Sequence, residues 1–447
     1  MKRNSAKQLL LIAICLFLAV ASQAQTNFLN NDSAYRAGVP SSGRIWGYVF
    51  GDLYYKSHSD SLNRGGNNQY TGIPQSRNAF QFRRIYLGYD YSFNKKFSSE
   101  LLLSAEDNFP AFNPPSQTAA NGDELSNSKE TFFIKLANIR MKNIWNGTDL
   151  IIGEQTTPAF ANLTEKVWNY RSVERTTTDI RRTPSYDLGA GLNGVFDPKT
   201  KNFGYDLLVA TGNSDKPASN SFKWFYGDVY AWFLDKHLVI DAYADYERLN
   251  WEPGWHHDRQ MLKGYVAYTS SPITVGVEGW INNIRADTKA TFITAQNGAK
   301  ADTITTKAEG ISLYAHGDIV PNTLRWFARV DFYNPNKNVN NSLYSGYAGI
   351  SSPNGYNSVG YKLTYSPSTG TPTAVASTTT DPTSKETFLT AGFDFMPYKD
   401  IHIEPNVWYT HYASQLSTGS QADYDLVWRL TFFFVFGRKY NQAYTQL

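Results

Sequence analysis

LVWRLTFFFVF, residues 426–436, is the stretch that decides the fold. Successive side chains of a β-strand point to opposite faces of the sheet, so every second residue shares a face. One face of this stretch is wholly apolar and consists of Leu426, Trp428, Leu430, Phe432, Phe434 and Phe436. The other face holds the single charge, Arg429. Because an arginine facing lipid at mid-bilayer costs about 2–4 kcal/mol, the stretch predicts a strand between lipid and an aqueous interior.

The same alternation recurs along the chain, in sixteen segments altogether. Their lengths are close to the ~9–11 residues that a tilted transmembrane strand needs. The predicted strands are 43–55, 80–93, 97–106, 131–142, 148–154, 186–196, 203–212, 223–234, 238–249, 259–269, 273–285, 309–319, 323–333, 387–396, 400–412 and 424–437.

The connections between these segments alternate in length. Those after even-numbered segments are short, as in 94–96 and 235–237, whereas those after odd-numbered segments are mostly long, as in 56–79 and 107–130. Short periplasmic turns at one end and long external loops at the other are typical of an outer-membrane barrel. A sheet that spans the membrane must also close into a barrel, because lipid offers no hydrogen-bond partner to the backbone groups of an open sheet edge. We therefore predict an all-β fold, a transmembrane antiparallel β-barrel of about 16 strands.

The N-terminus has the pattern of a secretory signal peptide. Basic residues within the first seven positions precede an apolar run, Leu9–Val20, and the small residues Ser22 and Ala24 mark a cleavage site. We predict four parts: a cleaved signal peptide at 1–24, a periplasmic segment at 25–42, the barrel at 43–437 and a periplasmic tail at 438–447. Within the barrel, 334–385 is rich in Ser, Thr, Asn, Gly and Pro and is predicted to be a surface loop with room for a short hairpin.

Charge and motifs exclude several functions. Removing 1–24 takes three basic residues from 42 and none from the 39 acidic ones, so the mature chain is neutral. A nucleic-acid partner is not expected, because such binders need a basic excess. The chain lacks G-x-S-x-G and H-E-x-x-H, and the adjacent His256 and His257 lack a third ligand at a diagnostic spacing. We expect no enzymatic activity, no catalytic residues, no cofactor and no metal site.

One long connection is unusually basic. QTTPAFANLTEKVWNYRSVERTTTDIRRTPS, residues 155–185, carries five basic and three acidic residues between the fifth and sixth strands. Charges select ions only where water is restricted, since a unit pair at ~6 Å is worth about 3 kcal/mol at an effective dielectric of 20 but under 1 in bulk water. We predict that this third external loop folds into the lumen. The candidate solute contacts are Lys166, Arg171, Arg175, Arg181 and Arg182 on the loop, with Arg325 and Arg329 on the wall.

Several short stretches resemble one porin family. They are FRRIYLGY at 82–89, GEQTTPAF at 153–160, RSVER at 171–175 and DLG at 187–189. Together they resemble the phosphate-selective porin O and P family and its relatives in Bacteroidetes-type bacteria, best over 43–215. The resemblance implies a sixteen-stranded, trimeric porin whose third external loop folds inward.

The leading hypothesis is therefore a Gram-negative outer-membrane porin, surrounded by outer-membrane lipid, that lets small hydrophilic solutes or ions diffuse passively. A preference for anions or phosphate stays open, because inward carboxylates are predicted opposite the basic loop. Inward aromatic rings allow a sugar-specific channel, although rings that support loops or form girdles are the favoured interpretation. A barrel-embedded lipase and a secreted glycan-binding β-protein are further alternatives, separable by lipid hydrolysis and by failure to pellet with membranes.

Overall fold

The computed structural model describes residues 42–62, 64–65, 68–71, 73–106, 132–181, 184–214, 221–252, 255–292, 301–349, 360–365, 372–377, 383–415 and 422–437. The predicted signal peptide, nearly all of the predicted 25–42 segment and the predicted tail at 438–447 lie outside these residues.

The described part of the chain contains nineteen strands and two short helices. The strands are β1 (Ser42–His58), β2 (Asn78–Ser92), β3 (Phe97–Glu106), β4 (Phe133–Trp145), β5 (Thr148–Thr156), β6 (Tyr186–Val195), β7 (Phe203–Ala210), β8 (Trp224–Phe233), β9 (Leu238–Glu252), β10 (Trp255–Thr269), β11 (Ile273–Phe292), β12 (Ala301–Val320), β13 (Leu324–Asn334), β14 (Tyr344–Gly349), β15 (Gly360–Tyr365), β16 (Pro372–Ser377), β17 (Lys385–Tyr398), β18 (Ile401–Ala413) and β19 (Asp423–Phe436). The helices are α1 (Thr164–Trp168) and α2 (Thr177–Arg181).

Sixteen of the strands close into one barrel. Strands β1 to β13 pair antiparallel in chain order, β13 pairs with β17, and β17, β18 and β19 follow. The ring closes where Gly47 to Lys56 of β1 pair with Val427 to Phe436 of β19. All sixteen predicted strands are confirmed, and closure leaves the ring with no open edge.

The alternation within strands is also as predicted. On β19, Trp428 is 55% exposed on the outside, whereas its neighbour Arg429 is 4% exposed on the inside. The outer surface carries exposed large apolar side chains around the ring, among them Phe82, Leu101, Ile152, Leu207, Val266, Leu313 and Phe393. Such a continuous apolar surface suits lipid and not water. No helix in the described ranges is long and apolar enough to cross a membrane.

The two ends of the barrel differ. Short turns, such as the one between Trp145 and Thr148, join strands at one end. At the other end β11 and β12 are 20 residues long, and β14 adds to the upper part of β11, pairing Gly349 with Thr288. The predicted loop 334–385 therefore contributes β14 to the barrel sheet and forms a separate hairpin from β15 and β16. We call these the short-turn and long-loop ends.

Candidate functional site

The loop between β5 and β6 lies inside the barrel, which confirms the predicted inward fold. Strand β5 continues to Thr156, so this inserted loop comprises 157–185. It reaches the far wall: Lys263 Nζ on β10 donates to the Ala159 carbonyl at 2.6 Å, and His316 Nε2 on β12 lies 3.0 Å from the Val167 carbonyl. Trp408 Nε1 on β18 donates to the Glu174 carboxylate at 2.9 Å. Only a segment that crosses the lumen can touch all these strands.

Inward aromatic rings form the surface on which the inserted loop rests. Trp168 lies 5.0 Å from Tyr314, and Tyr170 lies 4.5 Å from Phe327, measured between ring centroids. Both loop rings are 1% exposed. These wall aromatics therefore pack under the loop, as the favoured interpretation holds, and their faces are covered.

A second connection also lies inside, which the sequence did not reveal. The segment 59–77 follows β1, and its Tyr70 and Ile73 are fully buried. Lys56 Nζ donates to the Tyr70 carbonyl at 2.7 Å, and the Tyr70 hydroxyl donates to Asp52 at 2.6 Å. Tyr70 and Ile73, two large apolar residues three positions apart in a loop rich in polar residues and glycine, are the signal that could have indicated burial.

Glu174 joins the two inserted segments to the wall. Its carboxylate accepts hydrogen bonds from Trp408 Nε1 and from Gln69 Nε2 of segment 59–77, the latter at 3.2 Å. Its backbone carbonyl accepts from Trp168 Nε1 at 2.8 Å. Burial opposes its charge, but the guanidinium groups of Arg175 and Arg83 prevail and hold the pKa of the Glu174 carboxyl below its usual value. Glu174 is therefore an ionised anchor.

The predicted loop cations are largely neutralised. Arg171 forms ion pairs with Glu165 and with Asp179, the latter at 3.0 Å. Arg181 pairs with Glu386 of β17. Arg175 lies 3.7 Å from Glu174 and 4.0 Å from Asp179. Arg182 lies outside the described residues.

The predicted wall cations are paired as well. Arg325 Nε donates to Asp318 at 2.9 Å. Arg329 pairs with Asp331 on its own strand and donates to the Arg175 carbonyl of the inserted loop. Arg329 therefore helps to fix the loop, whereas the ion pair of Arg325 lies within the wall.

Arg83 is an anchor that the sequence analysis missed. Its Nη1 donates to the Ser172 carbonyl at 2.6 Å and lies 3.2 Å from the Val173 carbonyl. The register between β1 and β2 shifts between Phe50 and Gly51. This irregularity interrupts strict alternation, so Arg83 and Arg84 both bond to groups inside the barrel, Arg84 pairing with Glu106 at 3.2 Å.

The side of the lumen formed by β3 to β6 carries several accessible polar side chains. Five inward polar side chains there are half-buried, namely Glu106, Asn138, Arg140, Asp149 and Asn193, whereas Lys135, Glu154 and Asp187 on the same strands are buried. The side chains of Arg140 and Asp149 are 35% and 23% exposed, whereas those of Lys263 and Asp241 under the loop are fully buried. Lys166 of α1 interacts electrostatically with Asp206 of the neighbouring strand β7 and with Glu100 of β3. The lumen is therefore accessible beside Arg140 and Asp149.

Comparison with known proteins gives a limited result. No family profile matches the sequence, and no curated protein matches it. Outer-membrane expressed OmpT of Vibrio cholerae aligns at 10% identity and a TM-score of 0.49 over 90% of this chain and 100% of that chain. OmpF of Salmonella typhi, in complex with daunomycin, aligns at 10% identity and a TM-score of 0.49, over 88% of this chain and 97% of that chain. A mutant of Rh. blastica porin aligns at 9% identity and a TM-score of 0.44, over 88% of this chain and 100% of that chain. At these values the fold assignment rests on the closed ring of strand pairs in this chain.

Proposed function

We propose that the protein is a porin of the Gram-negative outer membrane that lets small hydrophilic solutes and ions diffuse down their gradients without catalysis. The observation that carries this proposal is a closed sixteen-stranded barrel, apolar outside and polar inside, with a loop fixed across its lumen. A closed barrel of this size has room for water, and an inserted loop sets a size limit. We further propose a homotrimer, which cross-linking in detergent would test.

The proposed pore favours neither phosphate nor anions strongly. Arg171, Arg181 and Arg329 are paired with carboxylates, so their fields are largely cancelled at the distance of a passing solute. Lys166 is the best candidate for solute contact, because it is half-buried and its electrostatic partners are Asp206 of β7 and Glu100 of β3 on the barrel wall. Opposite charges on loop and wall make a transverse field, which orients dipolar solutes and gives weak ion preference.

Planar-bilayer recording tests the proposal. Folded protein should give stepwise conductance, and Lys166→Glu should shift the reversal potential in a KCl gradient toward K⁺ selectivity. Lys95→Glu is the matched control, because Lys95 is an exposed residue of a short turn and the charge change is the same. Folded protein that gives no conductance steps contradicts the porin assignment. Equal shifts in the two variants contradict only the role of Lys166.

A further inference from the structure

Three potential metal ligands meet near the short-turn end of the lumen. Asp394 lies on β17, and His402 and Glu404 lie on β18 just beyond the tight turn between these strands. The register that pairs Phe395 with Ile403 places Asp394 opposite Glu404, and His402 is two residues from Glu404 on the same face. One ligand atom from each of the three residues lies within 4.8 Å of the others.

The geometry within this cluster suits a cation. His402 Nδ1 and Asp394 Oδ1 are 2.9 Å apart, and two ligand atoms bound at about 2.1 Å in a tetrahedral arrangement lie about 3.4 Å apart, so a metal ion needs this contact to lengthen by only about 0.5 Å. Asp394 is 2% exposed and Glu404 is 1% exposed. The His402 side chain keeps 14% of its surface accessible, which gives the cluster an opening to the lumen.

The negative charges of Asp394 and Glu404 also favour a bound cation. Two carboxylates directly opposite on one face of a sheet repel each other. Among the described residues Asp394 forms an ion pair with His402, and Glu404 Oε1 accepts one hydrogen bond, from the Ser172 hydroxyl at 3.0 Å. Its other oxygen, Oε2, is buried without a hydrogen-bond partner in the described structure. Arg325, which pairs in register with Asp394, directs its Nε to Asp318 instead.

We propose that Asp394, His402 and Glu404 bind a divalent first-row transition metal, for which Zn²⁺ is the best probe. One imidazole and two carboxylates supply the nitrogen and oxygen donors that Zn²⁺ accepts, and the opening beside His402 leaves a position for water. No metal site was expected from the sequence, and His-x-Glu on one strand with an aspartate on another is not a diagnostic spacing. The Ser172 hydroxyl connects the site to the inserted loop.

Isothermal titration of Zn²⁺ into the detergent-folded mature chain, made without a histidine tag and freed of metal by chelation, tests this site. We expect one Zn²⁺ per chain, and at least about tenfold weaker binding after His402→Gln or Asp394→Asn. Glutamine at 402 can still donate a hydrogen bond to Asp394, and heat-dependent gel migration checks that each variant is folded. His237→Gln, in an exposed turn, is the matched control.

A second probe separates a built site from adventitious binding. Co²⁺ in place of Zn²⁺ should give visible absorption bands in the wild type and in His237→Gln that disappear in His402→Gln. Absence of Zn²⁺ binding overturns the proposal. So does binding that His402→Gln leaves unchanged, or binding that is lost only when His256 and His257 are replaced.

Discussion

Replacing Glu174 should release the inserted loop while leaving the barrel closed. Glu174 is 1% exposed, and its carboxylate accepts hydrogen bonds from Trp408 on the wall and Gln69 on the neighbouring segment. Each hydrogen bond to a charged group is worth about 1.5–3 kcal/mol. The Glu174→Ala change removes two of them, so about 3 kcal/mol is the lower figure, and this multiplies the open population of the loop by about 100.

Hydrogen exchange measured by mass spectrometry reports this opening directly. Amides within 157–185 should exchange about 100-fold faster in Glu174→Ala than in the wild type, and the strand amides should keep their protection. Glu174→Gln should have a smaller effect, because it keeps one acceptor oxygen but loses the charge. Glu309→Gln is the matched control, since Glu309 pairs with Lys337 at the surface and such pairs contribute about 0–1 kcal/mol.

Two results would refute this reasoning. Unchanged exchange of 157–185 in Glu174→Ala would mean that Glu174 does not hold the loop. Equal loss of protection in the loop and in all strands would mean that the loop and the barrel unfold as one unit.

Three further changes test other parts of the structure. Lys263→Met leaves the Asp241 carboxylate buried without its partner, since their 2.8 Å ion pair is fully buried. The change should lower the free energy of unfolding by about 3–5 kcal/mol in guanidinium. Adding Asp241→Asn should restore part of this loss, and equal stability of the single and double variants would contradict the pairing. Val277→Arg places a charge on the outer face, where Val277 is 42% exposed. If that face meets lipid, the change should lower the free energy of unfolding by about 2–4 kcal/mol in liposome-folded protein. The control change Ser271→Arg, in an exposed turn, should lower it little, and similar losses for both variants would argue against a lipid-facing position. Gly153→Ala places a Cβ atom on a backbone with φ of +126° and only 2.2 Å from the Ala137 carbonyl oxygen. The change should lower the free energy of unfolding by about 1–3 kcal/mol in guanidinium. Unchanged stability would mean that β5 can relax there.

The barrel was predictable because its information is local. Each strand has lipid on one side and a polar interior on the other, so alternation within about ten residues identifies it. Trp428 and Arg429 illustrate this, since adjacent side chains lie on opposite sides of one strand as predicted. The inward position of the basic loop was predictable for a related reason, because the length and charge of 155–185 distinguish it from the short turns.

The site was only partly predictable because its interactions join distant parts of the chain. Arg181 bonds to Glu386, 205 residues away, and nothing near Arg181 in sequence indicates that its charge is neutralised. Arg83 was missed because one register irregularity between β1 and β2 interrupts the alternation on which the prediction relied. The burial of 59–77 depends on contacts such as that between the rings of Tyr70 and Trp408 of β18, 5.4 Å between centroids, which exist only once the barrel has closed.

The central claim is that the loop within 157–185 narrows a water-filled barrel, and single-channel conductance tests it most directly. Mature protein and a variant lacking 165–180 would be recorded in the same planar bilayers and the same KCl solution, after gel migration shows that both are folded. Conductance steps are expected from both proteins, and larger steps from the shortened one. Equal steps from the two proteins would contradict the claim.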